Sequence, residues 1–362
     1  MSRSIIEIDG SILEGGGQIL RTTLALSALT GKPVRIYNIR AKRSNPGLQA
    51  QHLTCVRAVA ELCNAQVEGA YKGSKELLFI PGKLRSGHFR FDIGTAGSIS
   101  LVIQAILPVL VFAPGRCVVE ITGGTDVHWS PPIDYVRNVL LPILSRMGVR
   151  AEVHVIRRGH YPRGGGHVRV VVDPIEKLRP ITSVDFGTLK EIRGRSHCVK
   201  LPHHVAERQA RAAREYLKKH GIDVPIEIEL ETYPPDRDPH LGPGSGIVLW
   251  AVSDKGEIIG ADAVGEKGKP AEQVGQEAAS KLIEDLSTGR AFDRHMGDML
   301  IPYIALADGY SRIGIAKLTL HTITNIHITE KILGVKFKVE GKENEPGIVE
   351  VQGLGFTRTS RV

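Results

Sequence analysis

The sequence predicts an α/β (α+β) fold made of three repeated βαβαββ units around a pseudo-threefold axis, with a smaller α/β domain inserted in the third repeat. Three observations predict it. A helix–strand series recurs with a period of about 80 residues. A glycine turn heads the series twice, as Gly15-Gly16-Gly17 and as Gly94-Thr95-Ala96-Gly97. The second and third copies start roughly 200 residues apart, far more than one period, so something is spliced between them.

The elements follow in order. Ile5-Ile6-Glu7-Ile8 reads as a strand, and Gln18 opens a helix whose apolar residues recur at helical spacing until Gly31 stops it. A strand over 34–39, a helix over 48–63 and two strands ending near Ile80 complete the first copy. The second copy has a helix over 98–112, a strand over 118–121, a helix over 133–147 and strands over 151–156 and 167–172. In the third, Gly297-Asp298 opens a helix to Ala307, followed by a strand over 315–320, a helix over 321–333 and strands over 335–339 and 348–351. Residues 181–186 supply its opening strand.

The intervening stretch has a pattern of its own. Strands are expected over 196–200, 226–231 and 246–252 and near Ile258, with helices over 203–220 and 271–286 and a Pro/Gly-rich loop over 234–246. The expected division is a large three-repeat catalytic domain (1–186 and 290–362) and an inserted small α/β domain (187–289).

Composition narrows the class. A chain of 362 residues with 42% hydrophobic content can bury a substantial core, and a net charge of +8 favours an anionic partner such as nucleic acid or nucleotide. Cys55, Cys63, Cys117 and Cys198 have neither metal-ligand spacing nor a disulfide pattern, so reduced thiols are expected. The longest apolar run, 103–113, is broken by Gln104 and Pro108 and is too short for a bilayer. No charged-then-apolar leader precedes the first strand, and a cytoplasmic protein without membrane contact is expected.

The candidate chemistry gathers at strand–helix junctions. A glycine turn feeding a helix N-terminus leaves N–H groups and a positive dipole end free for phosphate, although such a turn needs no ligand. Arg40-Ala41-Lys42-Arg43 follows, with Arg40 and Arg43 as an anion clamp, and Gln51 and His52 extend that surface from the next helix. His321 stands at the equivalent junction of the third copy, and Gly123 to Pro132 occupies that of the second. A histidine there can serve merely as a cap. Pseudo-threefold packing brings clamp, loop and histidine to one cleft.

On these residues the chain resembles the RNA 3′-terminal phosphate cyclases over essentially its whole length. The resemblance rests on Glu14-Gly15-Gly16-Gly17-Gln18-Ile19-Leu20-Arg21, Gly94 to Ser98, Pro202-His203-His204-Val205-Ala206-Glu207-Arg208, Gly297-Asp298 and His321-Thr322-Ile323-Thr324-Asn325-Ile326. It implies a ligase that uses ATP with Mg²⁺ or Mn²⁺ to convert an RNA 3′-phosphate into a 2′,3′-cyclic phosphate, through a covalent histidine–AMP and an RNA(3′)pp(5′)A intermediate.

The roles it implies are residue by residue. His321 is the nucleophile and Asp298 the carboxylate that orients it; Glu14 holds the metal. Gln18, Arg21, Arg40, Arg43, Gln51 and Gln104 contact ATP, while Arg21, Arg40, Arg43 and His52 contact the RNA end. Pro131 packs on one adenine face. On the other this chain has His295 where the family carries tyrosine, and Met299 stands where glutamine is familiar. Two other readings stay open: a non-catalytic cyclase-like protein of ribosome or RNA assembly, and an enolpyruvyl transferase with related repeats. Oligomeric state is open, a homodimer being the candidate.

Overall fold

The structure is a computed structural model and describes residues 4–358; the outer bounds expected for the large domain, 1 and 362, lie outside them. In the first repeat β1 (Ile6–Asp9), α1 (Gly17–Thr30), β2 (Val34–Tyr37), α2 (Ala50–Leu62), β3 (Gln66–Glu68) and β4 (Leu77–Ile80) give a sheet of order β1-β2-β4-β3. The second has β5 (Gly87–Asp92), α3 (Ile99–Val111), β6 (Cys117–Gly123), a helix made of α4 (Ile133–Tyr135), a π turn (Val136–Leu140) and α5 (Leu141–Arg146), then β7 (Arg150–Arg157) and β8 (Gly166–Asp173). Its sheet order, β5-β6-β8-β7, is the same. In both, the first pair is parallel and the other two antiparallel.

The third repeat opens with the two-residue β9 (Thr182–Ser183), and the chain then leaves it. β10 (Leu189–Val199), α6 (His204–Lys219), β11 (Ile226–Glu231), β12 (Gly244–Ser253), β13 (Ile258–Val264) and α7 (Ala271–Leu286) build a fourth sheet, β11-β10-β12-β13. α6 and α7 pack on one another and on this sheet, around a separate apolar cluster that includes Ile192, Leu217, Leu249 and Leu282. The repeat resumes with α8 (Arg294–Met299), α9 (Ile301–Leu306), β14 (Tyr310–Ile315), α10 (Leu320–Leu333), β15 (Phe337–Glu340) and β16 (Gly347–Gln352). β9 pairs parallel with β14, which restores the order β9-β14-β16-β15. One contiguous core serves all three repeats, with α1 packed on both α3 and α10.

Several elements differ from expectation: the strand expected over 196–200 begins at Leu189, the helix expected from Gly297-Asp298 to Ala307 begins at Arg294 and is split into α8 and α9, and two further differences concern strands. β5 was not foreseen: it is short, and only Phe89 and Phe91 mark its buried face. The strand expected over 315–320 lies at Tyr310–Ile315. Alternation continues through Ala316, Leu318 and Leu320, but the chain leaves the sheet there. Ala316 N–H donates to Phe292 and Leu318 N–H to Glu345, both outside the ladder. Gly314 is required within the strand, because a Cβ there would lie 1.9 Å from the Val184 carbonyl oxygen. Among the described residues no helix is long and apolar enough to cross a membrane. None of the four cysteines forms a disulfide, and all four are buried.

Candidate active site

The turn before α1 is shaped by what packs against it. Gly15 has φ +61°, the left-handed region that suits glycine, and Gly15 N–H donates to Ile12 at 2.8 Å. Gly16 and Gly17 leave room for the side chains of Glu14 and His52. A Cβ on Gly16 would fall 2.2 Å from Glu14 Oε1, and one on Gly17 2.5 Å from His52 Nε2. Glu14 Oε2 accepts the N-cap Gly16 N–H at 2.7 Å, so its carboxylate, paired with Arg43, sits at the positive end of α1, whose first turn carries no acidic residue.

The histidine comes from α10. Thr319 caps that helix, its hydroxyl accepting the Thr322 N–H at 3.2 Å, which sets His321 in the exposed first turn facing α1. His321 Nδ1 lies 2.6 Å from Gln18 Oε1, and Gln18 Nε2 donates to Asp298 Oδ2 at 2.8 Å. With Asp298 ionised, these two contacts fix the tautomer. A carboxylate can only accept, so it takes the amide NH₂ and turns the amide oxygen to the imidazole. That oxygen can only accept, so Nδ1 carries the proton and Nε2 keeps a free lone pair. Asp298 therefore reaches the imidazole through Gln18, not directly as expected.

Charge is tuned in opposite senses along this chain. Partial burial, with Arg21 nearby, holds the His321 pKa below its ordinary value against the pull of Glu14, so the imidazole is neutral at pH 7. Desolvation pushes the Asp298 carboxyl up to about 7, against the Gln18 hydrogen bond and Arg21. Asn325, one turn after His321 on α10, donates to the Asp298 carbonyl at 2.8 Å and accepts from Thr22 at 2.5 Å, tying α1, α8 and α10 together. Neither Asn325 nor Thr22 was singled out as a site residue. Asn325 lies at i+4 from the histidine within a quoted motif, and that spacing was the available signal.

The cations sit around this axis. Arg21 and Gln104 line a small cavity of about 30 Å³ together with Gln18, Asp298 and Asn325, and Arg21 Nε is buried there without a partner. Arg43 pairs with Glu14 and also donates to the Glu14 carbonyl at 3.2 Å. Arg40 folds back on its own loop, donating to the carbonyls of Asn45 (2.5 Å) and Gly47 (2.9 Å). Gln51 Oε1 accepts the Ser98 N–H at 3.0 Å, which leaves only its NH₂ for a ligand. His52 Nδ1 accepts the Gln49 N–H at 3.2 Å, so its Nε2–H faces the glycine turn. Burial beside Arg40 and Arg21 drives the His52 pKa down to about 3, and it acts as a neutral donor.

Pro131 precedes the Pro132 cap of α4, and the exposed His295 ring lies edge-on to Tyr135 of the same helix, with centroids 6.3 Å apart. The Tyr135 hydroxyl donates to Asp293, the cap of α8, at 2.7 Å. The two residues expected at the adenine thus belong to segments joined by one buried hydrogen bond. Glu14 belongs to no cluster of three metal-ligating side chains among the described residues. One carboxylate beside a glycine turn fits a magnesium-type ion that takes its other ligands from a bound phosphate and water.

The family model for RNA 3′-terminal phosphate cyclase matches residues 12–339, and the chain belongs to that family. Among its relatives, the RNA 3′-terminal phosphate cyclase of Ignicoccus hospitalis is 55% identical over 98% of this chain and 100% of its own. Those of Methanopyrus kandleri (56%; 97% and 100%) and Hyperthermus butylicus (58%; 98% and 100%) are equally similar. A solved enolpyruvyl transferase, NikO from Streptomyces tendae, aligns over 97% of this chain and 66% of its own, with TM-score 0.27 and 12% identity. That likeness carries no argument.

Proposed function

We propose that the chain uses ATP to convert an RNA 3′-terminal phosphate into a 2′,3′-cyclic phosphate through a histidine–AMP intermediate. The observation that carries the reading is the Asp298–Gln18–His321 chain, which leaves Nε2 of a neutral imidazole with a free lone pair at a phosphate-binding turn. His321 Nε2 attacks the α-phosphorus of ATP; the N–P bond forms, the bond to the bridging oxygen breaks, and pyrophosphate leaves. The imidazole is then cationic, and its Nδ1–H to Gln18 Oε1 contact strengthens as that charge develops.

An oxygen of the RNA 3′-phosphate next attacks the adenylyl phosphorus and breaks the N–P bond, giving RNA(3′)pp(5′)A and a neutral histidine. The neighbouring 2′-OH finally attacks the RNA phosphorus. The ring closes, the pyrophosphate bond breaks, and AMP carries off the electron pair while the hydroxyl proton passes to solvent. Only RNA offers that hydroxyl.

Arg21, whose Nε has no protein partner, and the end of α1 are assigned to the triphosphate. Glu14 is assigned to a Mg²⁺ or Mn²⁺ ion, which when bound offsets phosphate charge. Arg43 must then leave Glu14, and is free to take a phosphate. Pro131 and His295 are assigned to the adenine. Residues 187–289 are proposed as a separately packed domain, on the strength of their own sheet and apolar cluster.

The test is RNA bearing a labelled 3′-terminal phosphate, incubated with ATP and Mg²⁺. The expected product keeps its label after phosphatase treatment. A label that stays phosphatase-sensitive under all metals and temperatures would turn the reading toward a non-catalytic relative.

A further inference from the structure

Away from the proposed nucleotide site, three potential metal ligands meet where the inserted sheet packs on the second repeat. Asp126 follows β6, His160 follows β7 and His197 lies in β10, each 5% exposed or less. One donor atom from each falls within 4.8 Å of the others. The two imidazole Nε2 atoms are 2.9 Å apart, and His197 Nε2 is 3.9 Å from Asp126 Oδ2. Ligand atoms around a tetrahedral ion with bonds of about 2.05 Å stand roughly 3.3 Å apart, so small rotations convert this cluster into a coordination shell.

We propose that Asp126, His160 and His197 hold a divalent transition-metal ion of the zinc type, which staples the inserted domain to the second repeat.

Several features of the cluster point to a ligand. Asp126 Oδ1 is buried without a partner, while Oδ2 takes Arg158 at 3.0 Å and Thr125 at 2.6 Å. The 2.9 Å Nε2–Nε2 contact is a hydrogen bond in which one ring donates and the other accepts; Nδ1 of both rings lacks a partner, so the donating ring can shift its proton to Nδ1 and both Nε2 lone pairs then face an ion.

Two glycines of β12 make the room. A Cβ on Gly244 would meet His160 Cγ at 2.0 Å, and one on Gly246 would meet His197 Cε1 at 3.0 Å. Arg158 does not forbid a cation, because Asp126, Asp134 and Glu231 surround it and Arg195, three carboxylates against two guanidiniums. Asp126 and His160 also line a cavity of about 870 Å³, which gives an ion its path and leaves a fourth position for water.

The test is full-length protein stripped with chelator and titrated with Co²⁺, then Zn²⁺. One equivalent of Co²⁺ should bind with visible absorption of tetrahedral character and be displaced by Zn²⁺. Affinity should fall at least 10-fold in His160→Gln and in His197→Gln, and hold in Glu14→Gln and His321→Ala. Zinc should raise the melting temperature of the wild type and of neither histidine variant. X-ray absorption of the zinc-loaded wild type needs no variant: two imidazole rings in the shell are expected, and an all-oxygen shell would overturn the proposal. So would failure to bind either ion, or binding that both histidine variants retain.

Discussion

At the residue scale the account turns on which nitrogen of His321 is free, and two of its consequences depend on pH. The depressed His321 pKa keeps the imidazole neutral above its ordinary value of about 6.5. Asp298, raised to about 7, becomes the carboxylate that fixes the Gln18 amide only as pH passes that value. Adenylylation by the wild type should therefore rise through about pH 7. In Asp298→Asn that limb should vanish, with a rate roughly 10-fold lower at pH 8, read from single-turnover kinetics.

The same shift has a cost in stability. A carboxyl whose folded pKa lies above its unfolded value stabilises the fold below the unfolded value, and loses that as pH rises through the folded one. Asp298→Asn should thus melt higher than wild type at pH 8, and the gain should disappear near pH 4. Gln18→Leu removes the acceptor at Nδ1. It should slow adenylylation by roughly 10- to 100-fold, the worth of a hydrogen bond to a developing charge.

At the element scale the glycine turn, α1, α2 and α10 were legible, since helical periodicity, Gly31 and the basic loop all stand within a few residues of one another. Arg21, Arg43 and His321 were legible as polar groups at junctions that a repeat brings together. That Gly16 and Gly17 are spacers for Glu14 and His52 was not, because His52 is far along the chain and the distance between them exists only after folding. The misplaced strand has a related cause: alternation from Ile315 to Leu320 resembles a strand, while the true one contains Gly314, whose packing against Val184 no local pattern reveals. Gly17→Ala follows from this geometry. It should push His52 from its place, destabilise the protein by about 1–3 kcal/mol and weaken RNA-end binding, measured by melting and by filter retention.

At the scale of the whole molecule, the unbroken core and the repeated sheet order make the three repeats one body, and the insert is held to it by Val248, Trp250 and Ile258 packed on that core and by a polar network. Arg158, from the end of β7, bonds Asp126 at 3.0 Å, Asp134 at 2.5 Å and Glu231 at 2.7 Å. Glu257 of the insert takes Arg146 at 2.7 Å and the Ser183 hydroxyl at 2.7 Å. The insertion itself was legible from spacing alone. This network was not, for its members are scattered from 126 to 257 and no residue type in it is unusual. Arg158→Leu leaves buried Asp126 without a guanidinium and Asp134 and Glu231 with Arg195 alone. It should destabilise the protein by roughly 3–5 kcal/mol in denaturant unfolding followed by tryptophan fluorescence, Trp250 reporting from the insert.

The most direct measurement incubates the protein with Mg²⁺ and ATP labelled on its α-phosphate, without RNA, and looks for label on the denatured chain. The account predicts an acid-labile, alkali-stable adduct that is absent from His321→Ala and forms slowly in Gln18→Leu. An adduct that persists in folded His321→Ala, or none in the folded wild type with either metal, would contradict it.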